Sequence, residues 1–284
     1  MSRLCSFFKC HSVTIFIISC IVVLVIIIVG SLCSCYEKKE IYDTEICNFE
    51  LYCKKILTNK EYVCCDETVN VLSNERFSEC KNLKRIDFKG DILYIDSSAF
   101  NGCENVEEIN FYGKVQYYSD GAFQKLTKLK RIYFKDLNII CARTFSNLTN
   151  LKSVTIERNL REVEDGAFFN CSMLKNFNAN EINVCWIDKS NVAVVISQNI
   201  FVLKSWAFSF CDSIEKVVIH GNVIAIEPHC FSACQSLKEI IYCDSFENFK
   251  KIYPSYAIEL SSDCLIKTTD SPQGIKVEDS IKKK

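Results

Sequence analysis

Apolar residues recur along this chain in one phrase, repeated seven times. Take as origin the phenylalanines Phe77, Phe100, Phe123, Phe145, Phe168, Phe208 and Phe231. They stand 22 or 23 residues apart, except for one interval of 40 between Phe168 and Phe208. Eight and five residues before each lie apolar pairs such as Ile92 and Ile95, or Leu160 and Val163. Six, nine and eleven residues after each lie sets such as Leu129, Ile132 and Phe134. These registers are apolar in every copy, and self-similarity at such a period marks stacked units.

The spacing inside each copy predicts its local structure. Positions nine and eleven after the Phe alternate with polar neighbours, as in RIDF, EINF, RIYF and KVVI, which reads as a short half-buried strand. The Phe and the residues three and six after it have helical spacing, which predicts a short helix or 3₁₀ turn. One copy cannot bury both sets alone, so the copies stack into a continuous core. The expected fold class is an α/β-type solenoid with a parallel sheet of short strands. Seven strands at about 4.8 Å each extend roughly 30 Å along the stack.

Three residues after each Phe stand Cys80, Cys103, Leu126, Leu148, Cys171, Cys211 and Cys234. Cys and Leu exchange there because both are modest hydrophobes in one buried column. These cysteines read as packed thiols. No C-x-x-C pair occurs among them to suggest a metal site or a bridge.

Around the repeats, 1–12 reads as a short cytosolic tail and 13–35 as a transmembrane signal anchor. Val13–Leu32 is uncharged and long enough to cross a bilayer core as a helix. A signal peptide cut near Gly30–Ser34 is the alternative. Arg3 and Lys9 precede the apolar run, while Glu37, Lys38, Lys39 and Glu40 cancel after it, which favours an outward C-terminal domain. The segment 36–65, with Cys47, Cys53, Cys64 and Cys65, reads as an N-terminal cap stapled by disulfides if it is extracytosolic. The solenoid spans 66–243. Its insertion near 180–198 reads as a protruding β-hairpin, with Trp186 as packing anchor or exposed binding residue. A C-terminal cap with one short helix follows at 244–266, with Cys243 and Cys264 as a candidate bridge. The polar stretch 267–284 reads as a disordered tail.

The formal charge of −1 over 284 residues gives no reason to expect nucleic acid as partner. Three histidines, and no G-x-S-x-G, H-E-x-x-H, P-loop or dinucleotide glycine pattern, point away from an enzyme, a metal site or a cofactor. The polar strand positions beside the apolar ones share the concave side, where solenoids commonly bind. The candidate binding face is Arg85, Asp87, Glu108, Asn110, Tyr112, Arg131, Tyr133, Lys135, Thr155, Glu157, Asn178, Lys216 and His220. Its mixed charges and tyrosines suit a protein partner. Two glycosylation sequons, Asn147-Leu148-Thr149 and Asn170-Cys171-Ser172, place both asparagines two residues after their Phe, away from that face.

The phrase resembles the BspA-type leucine-rich repeat, written AFxxCxxLxxIxI. The resemblance is carried by Ala99-Phe100-Asn101-Gly102-Cys103 and Ala167-Phe168-Phe169-Asn170-Cys171 and covers Val69–Tyr242. It implies a solenoid found on the surfaces of microbes and parasitic protists, with adhesive or immune-facing roles, and it names no ligand. The 40-residue interval departs from the pattern. So does the N-terminal placement of the apolar segment, which many relatives carry at the other end. The expected function is a single-pass cell-surface protein that binds a protein or host-surface ligand through the repeats. An intracellular scaffold tethered to a membrane, or an antigenic surface protein without a defined ligand, are the alternatives.

Overall fold

The computed structural model describes residues 60–73, 77, 80–179, 194–253 and 260–277. Two compact units divide the chain, 1–47 and 48–284, and the first lies wholly outside the described residues. The expected anchor, Cys47, Cys53 and Trp186 also lie outside them. Among the described residues no helix is long and apolar enough to cross a membrane.

Among the described residues, seventeen strands, numbered in chain order, wind about eight turns of a β-solenoid. The main sheet runs β1 (Tyr62–Cys65), β3 (Arg85–Phe88), β5 (Glu108–Tyr118), β6 (Arg131–Leu137), β8 (Ser153–Arg158), β10 (Asn176–Ala179), β11 (Val194–Ile196), β13 (Lys216–Ile219), β15 (Glu239–Tyr242) and β16 (Leu265–Thr268). All pair in parallel, and β17 (Ser271–Lys276) closes the edge antiparallel to β16. Shorter strands form the return side. They are β2 (Val71–Leu72), β4 (Ile92–Ile95), β7 (Ile139–Ile140), β9 (Glu162–Val163), β12 (Val202–Leu203) and β14 (Ala225–Ile226). The last four form a separate parallel sheet in the order β14-β12-β9-β7.

Register follows the repeat. Ile86, Ile109, Ile132, Val154 and Phe177 pair strand to strand, and Val194, Val217, Ile240 and Ile266 continue the row. Each is buried, because a slip of one residue would turn the apolar set outward. Between the sheets the seven phenylalanines form a spine, with successive ring centroids 5.8, 5.8, 5.4, 5.2, 5.1 and 5.5 Å apart. Phe88, Phe111 and Phe134 stack beside it at 4.9 and 5.0 Å. The 5.1 Å contact of Phe168 with Phe208 shows that the long interval leaves the spine unbroken.

The cysteine column does more than fill space. The thiols of Cys103, Cys171, Cys211 and Cys234 donate to the carbonyls of Phe77, Phe145, Phe168 and Phe208 at 3.0, 3.0, 3.2 and 3.1 Å. Each of these four turns thereby bonds to an earlier one, which Leu at the same position in the other copies cannot do. Burial pushes the Cys171 and Cys234 thiols up to about 12. We expect both to resist iodoacetamide at pH 8 in the native protein, while the exposed Cys64 reacts, and all to react in urea. Mass spectrometry of the labelled peptides reads this directly.

Three expectations need correction. The Phe segments take the 3₁₀-turn alternative, as successive i→i+3 turns such as Cys103 N–H to Phe100 O and Val106 N–H to Cys103 O, so the solenoid is β-type rather than α/β-type. Left-handed residues two before and two after many of the phenylalanines stop a helix from propagating. Val194–Ile196 is not one arm of a protruding hairpin. It lies between β10 and β13, parallel to both, because its buried Val194 and Ile196 continue the core rows. Cys243 and Cys264 are free thiols. The pairing of Ile241 with Lys267 puts them at opposite ends of β15 and β16, about 16 Å apart along the strands at 3.3 Å per residue, beyond disulfide reach.

The two ends of the solenoid also extend beyond the repeat register. Tyr62–Cys65 joins the main sheet, with Cys65 buried, although no Phe precedes it at the repeat spacing. Ser271–Lys276, expected to be disordered, pairs with β16, and Gly274 supplies a φ of 87° in the edge strand. The helix α1 (Phe246–Ile252) is capped by Ser245, whose side chain accepts from Asn248 N–H, and it buries Phe249 and Ile252 against the last turns.

Candidate functional site

The outward positions of the main sheet form columns eight, ten and twelve residues after each Phe. Parallel in-register pairing puts like positions on adjacent strands about 4.8 Å apart, so side chains from successive turns meet. At the N-terminal end these contacts make a closed network. Asp87 Oδ1 accepts from Arg85 Nε at 3.0 Å and Asn110 Nδ2 at 2.8 Å. Its Oδ2 accepts from the Tyr62 hydroxyl at 3.0 Å and an Arg85 terminal nitrogen at 3.1 Å. Glu108 bridges the two arginines, 3.4 Å from Arg85 and 2.6 Å from Arg131.

This network draws Asp87 and Asn110 inward, leaving them 2% and 8% exposed. Burial alone would raise the Asp87 carboxyl, but the bonds from Arg85, Asn110 and Tyr62 outweigh it and hold it below its ordinary value. The same contest, with Asn110 and Arg131 as donors, holds Glu108 low. Tyr62 is pushed up to about 12, chiefly by its bond to Asp87. Asp87 and Asn110 therefore work as struts that set the geometry of Arg85, Glu108 and Arg131. Removing the acceptor in Asp87→Ala orphans several donors and is expected to cost about 2–3 kcal/mol, measured by urea unfolding at pH 7.

The pH dependence follows from the sign of these shifts. Depressed carboxyls at Asp87, Glu108 and Glu239 contribute stability that is complete above their unfolded values, about 4. That stability is lost as pH falls through the lower folded values. The urea midpoint should hold between pH 5 and 7 and decline below about pH 4, with a smaller decline in Asp87→Asn.

Beside the network, Lys89 lies 4.0 Å over the Tyr112 ring, and Tyr112 meets Tyr133 at 5.6 Å. Burial first, then a bond with Glu157, pushes Tyr133 up to about 12. Thr155 and Asn178 continue the face as neutral polar groups, with Glu157 exposed and Lys135 half-buried at its border. Beyond Asn178 the central column turns apolar at Val195, Val218 and Ile241. Lys216 stands apart from the first group in a second ladder, in which Glu239 pairs with Lys216 at 3.2 Å and with Lys267 at 2.6 Å. The Lys267 bond is the larger cause of the depressed Glu239 carboxyl. His220, at the strand end, keeps a buried Nδ1 without a hydrogen-bond partner among the described residues.

The structure thus gathers Arg85, Asp87, Glu108, Asn110, Arg131, Tyr112 and Tyr133 into one continuous surface and leaves Lys216 and His220 at a distance along the stack. Charges alternate and neutralise each other, so the face has shape and tyrosine rings rather than a strong field. Among the described residues no three His, Cys, Asp or Glu side chains converge to hold a metal ion.

Asn147 and Asn170 lie on the Phe turns, with Asn170 Nδ2 donating to Asn147 Oδ1 at 2.9 Å. Near them the sequence reading missed a group of rings. Phe169 lies 5.3 Å from Phe210 and 6.4 Å from Trp206, and Trp206 stacks on His229 at 4.3 Å. The signal that could have found it is the register two before and two after each Phe, which holds Gly or Asn in several earlier copies.

Comparison with known proteins places this geometry. A family model for the BspA-type leucine-rich repeat region matches residues 50–175 and 138–261, with six copies. No curated protein matches the chain. Among solved structures, the TLR13–ssRNA13 complex aligns over 77% of this chain and 30% of that one, at 15% identity and a TM-score of 0.53. A leucine-rich cell surface protein of Faecalibacterium prausnitzii aligns over 70% and 84%, at 16% identity and a TM-score of 0.35. A leucine-rich repeat protein of Bacteroides ovatus aligns over 74% and 61%, at 20% identity and a TM-score of 0.38. The chain spans about 30% of the TLR13 chain, and at 15% identity that likeness speaks to the fold alone. With the repeat model covering most of the chain and the solenoid built as that repeat requires, the protein belongs to the BspA-type leucine-rich-repeat family.

Proposed function

We propose that this protein is a membrane-anchored, cell-surface binding protein that recognises a protein ligand with the outward face of its main sheet. One observation carries the reading. Tyr112, Tyr133, Arg131 and Glu157 project from a sheet whose register is locked by buried struts, which is a pre-organised, mixed-charge, aromatic surface of the kind used in protein recognition. The family's surface-protein style and the uncharged run Val13–Leu32 support the location.

A membrane-tethered intracellular scaffold is the second reading, favoured by the free thiols at exposed Cys64 and half-buried Cys243. External protease on intact cells separates the two. Digestion of the repeat domain, with saturable binding of the full chain to a partner cell surface, supports the first. Complete protection of the repeat domain removes it.

A further inference from the structure

Two backbone positions on many Phe turns take a left-handed conformation. Gly102, Gly121 and Gly166 hold φ of 79°, 72° and 58° there, and Asn147 and Asn170 hold 64° and 58°, all residue types that tolerate it. Arg143 and Ala233 hold the same positions at 55° each, and Trp206, Phe210 and His229 hold them at 60°, 58° and 63°. Histidine is among the residues that adopt it readily, but Trp206 and Phe210 are bulky rings for which it is strained, and such strain persists where a site uses it. The rings are also left uncovered, with Trp206 39% and Phe210 41% exposed.

The patch is small. An aromatic side chain can bury about 150–250 Å², so these two leave open less than about 200 Å² together. A stable protein interface needs about 800 Å² from each partner. Lys204 and Glu227 pair with each other at 3.1 Å, while Arg143 and Asp165 border the rings on the preceding turns. The matching ligand is therefore compact, with one apolar face, and its attachment point is already present. Asn170 follows Phe169 directly, its backbone N–H bonds Ser209 O at 2.9 Å beside Phe210, and Asn170-Cys171-Ser172 is a sequon.

We infer that Phe169, Trp206 and Phe210 form a platform for the first N-acetylglucosamine of a glycan on Asn170, an inference that rests on the extracellular reading above. In the transfer, Asn170 Nδ2 displaces the lipid pyrophosphate from C1 of a lipid-linked oligosaccharide. The N–C1 bond forms, the C1–O bond breaks with its electrons going to the departing lipid pyrophosphate, and one amide proton passes to the transferase. The other amide hydrogen keeps the bond to Asn147 Oδ1. The C–H face of the sugar then lies on aromatic faces whose negative quadrupole attracts it. Tethering holds the sugar at high effective concentration, so a weak contact suffices.

The test uses the full chain made in glycosylating eukaryotic cells. Thr149→Ala removes the Asn147 sequon while keeping the Asn147 side chain and leaves Asn170 as the acceptor, and adding Ser172→Ala removes the second sequon while keeping the Asn170 side chain. The same pair made in bacteria corrects for the lost hydroxyl. The glycosylated member should melt about 2–4 °C higher after that correction, a shift of the size a single modest contact gives. Adding Phe210→Asn should abolish the difference and raise the melting point of the glycan-free chain, because Asn tolerates the conformation at 210. An unchanged glycan effect in Phe210→Asn overturns the inference. So does an unoccupied Asn170 when Asn170→Gln shows Asn147 occupied, and in that outcome the extracellular reading stands. Vacancy at both sequons together with protection from external protease overturns the extracellular reading and the platform with it.

Discussion

Phe123→Ala is expected to lower stability by about 3–5 kcal/mol, the range for emptying a buried aromatic site. Phe123 is fully buried within the spine, third of its seven rings, between Phe100 at 5.8 Å and Phe145 at 5.4 Å. It also meets Phe111, Phe134 and Tyr118 edge-on at 6.2, 6.2 and 5.7 Å. Its loss therefore takes contacts from three successive turns. Those turns are tied by stacked backbone ladders on two sides and cannot collapse into the space. In a solenoid the turns depend on their neighbours, so a weak centre uncouples the two ends. Urea unfolding should show a lower midpoint and a broadened or two-step transition. The conservative Phe123→Leu should cost much less, because it refills most of the volume.

The second large effect comes from a position with no side chain. A Cβ added at Gly113 would lie 2.3 Å from Gly90 O, 2.4 Å from Gly90 C and 2.6 Å from Asp91 N, all backbone atoms of the preceding turn. Backbone cannot swing aside as a flexible side chain can, so β3 and β5 must part locally. Gly113→Ala is expected to cost about 3 kcal/mol, the upper end of overpacking penalties. Gly221→Ala is the control. Its nearest contacts, Asp244 Cβ and Cys243 O, are at 3.3 Å, and it should cost a few tenths of that. Equal losses at the two positions would show that general glycine flexibility, rather than close approach of turns, decides the outcome.

Most of the solenoid is legible in the chain because each turn repeats the same burial problem. A Phe origin with apolar residues at fixed offsets suffices to place the spine and the rows from Ile86 to Ile240. What escaped the reading lacks that origin. Val194–Ile196 has no Phe at the repeat distance, and a short apolar run carries no sign of whether it pairs with strands before and after it or with its own neighbour. Tyr62–Cys65 and Ser271–Lys276 are strands only because a sheet edge stands beside them, a tertiary cause that overrides weak local propensity.

The candidate face was partly legible for the same reason. Period-two alternation assigns Asp87 and Asn110 to the outward side, which is correct for the backbone. It does not reveal that Arg85 and Tyr62, from their own and the preceding strand, close over Asp87. Burial there is set by side-chain reach between turns, which spacing along the chain does not encode. The rings at Trp206 and Phe210 were missed because hydrophobic pattern alone counts them as ordinary apolar residues. Their meaning lies in the backbone conformation they are forced to adopt.

The central claim is that recognition belongs to the outward face of the main sheet. The most direct measurement compares saturable binding of the full chain to its target cell surface after replacing Tyr133 or Tyr117 with Ala. Tyr133 stands on that face, and Tyr117, 58% exposed, lies on the return side. With folding verified by equal melting points, Tyr133→Ala should weaken binding at least about tenfold, the loss of a central aromatic contact, and Tyr117→Ala should leave it unchanged. Full binding in Tyr133→Ala together with loss in Tyr117→Ala would place recognition on the other side of the solenoid and contradict the account.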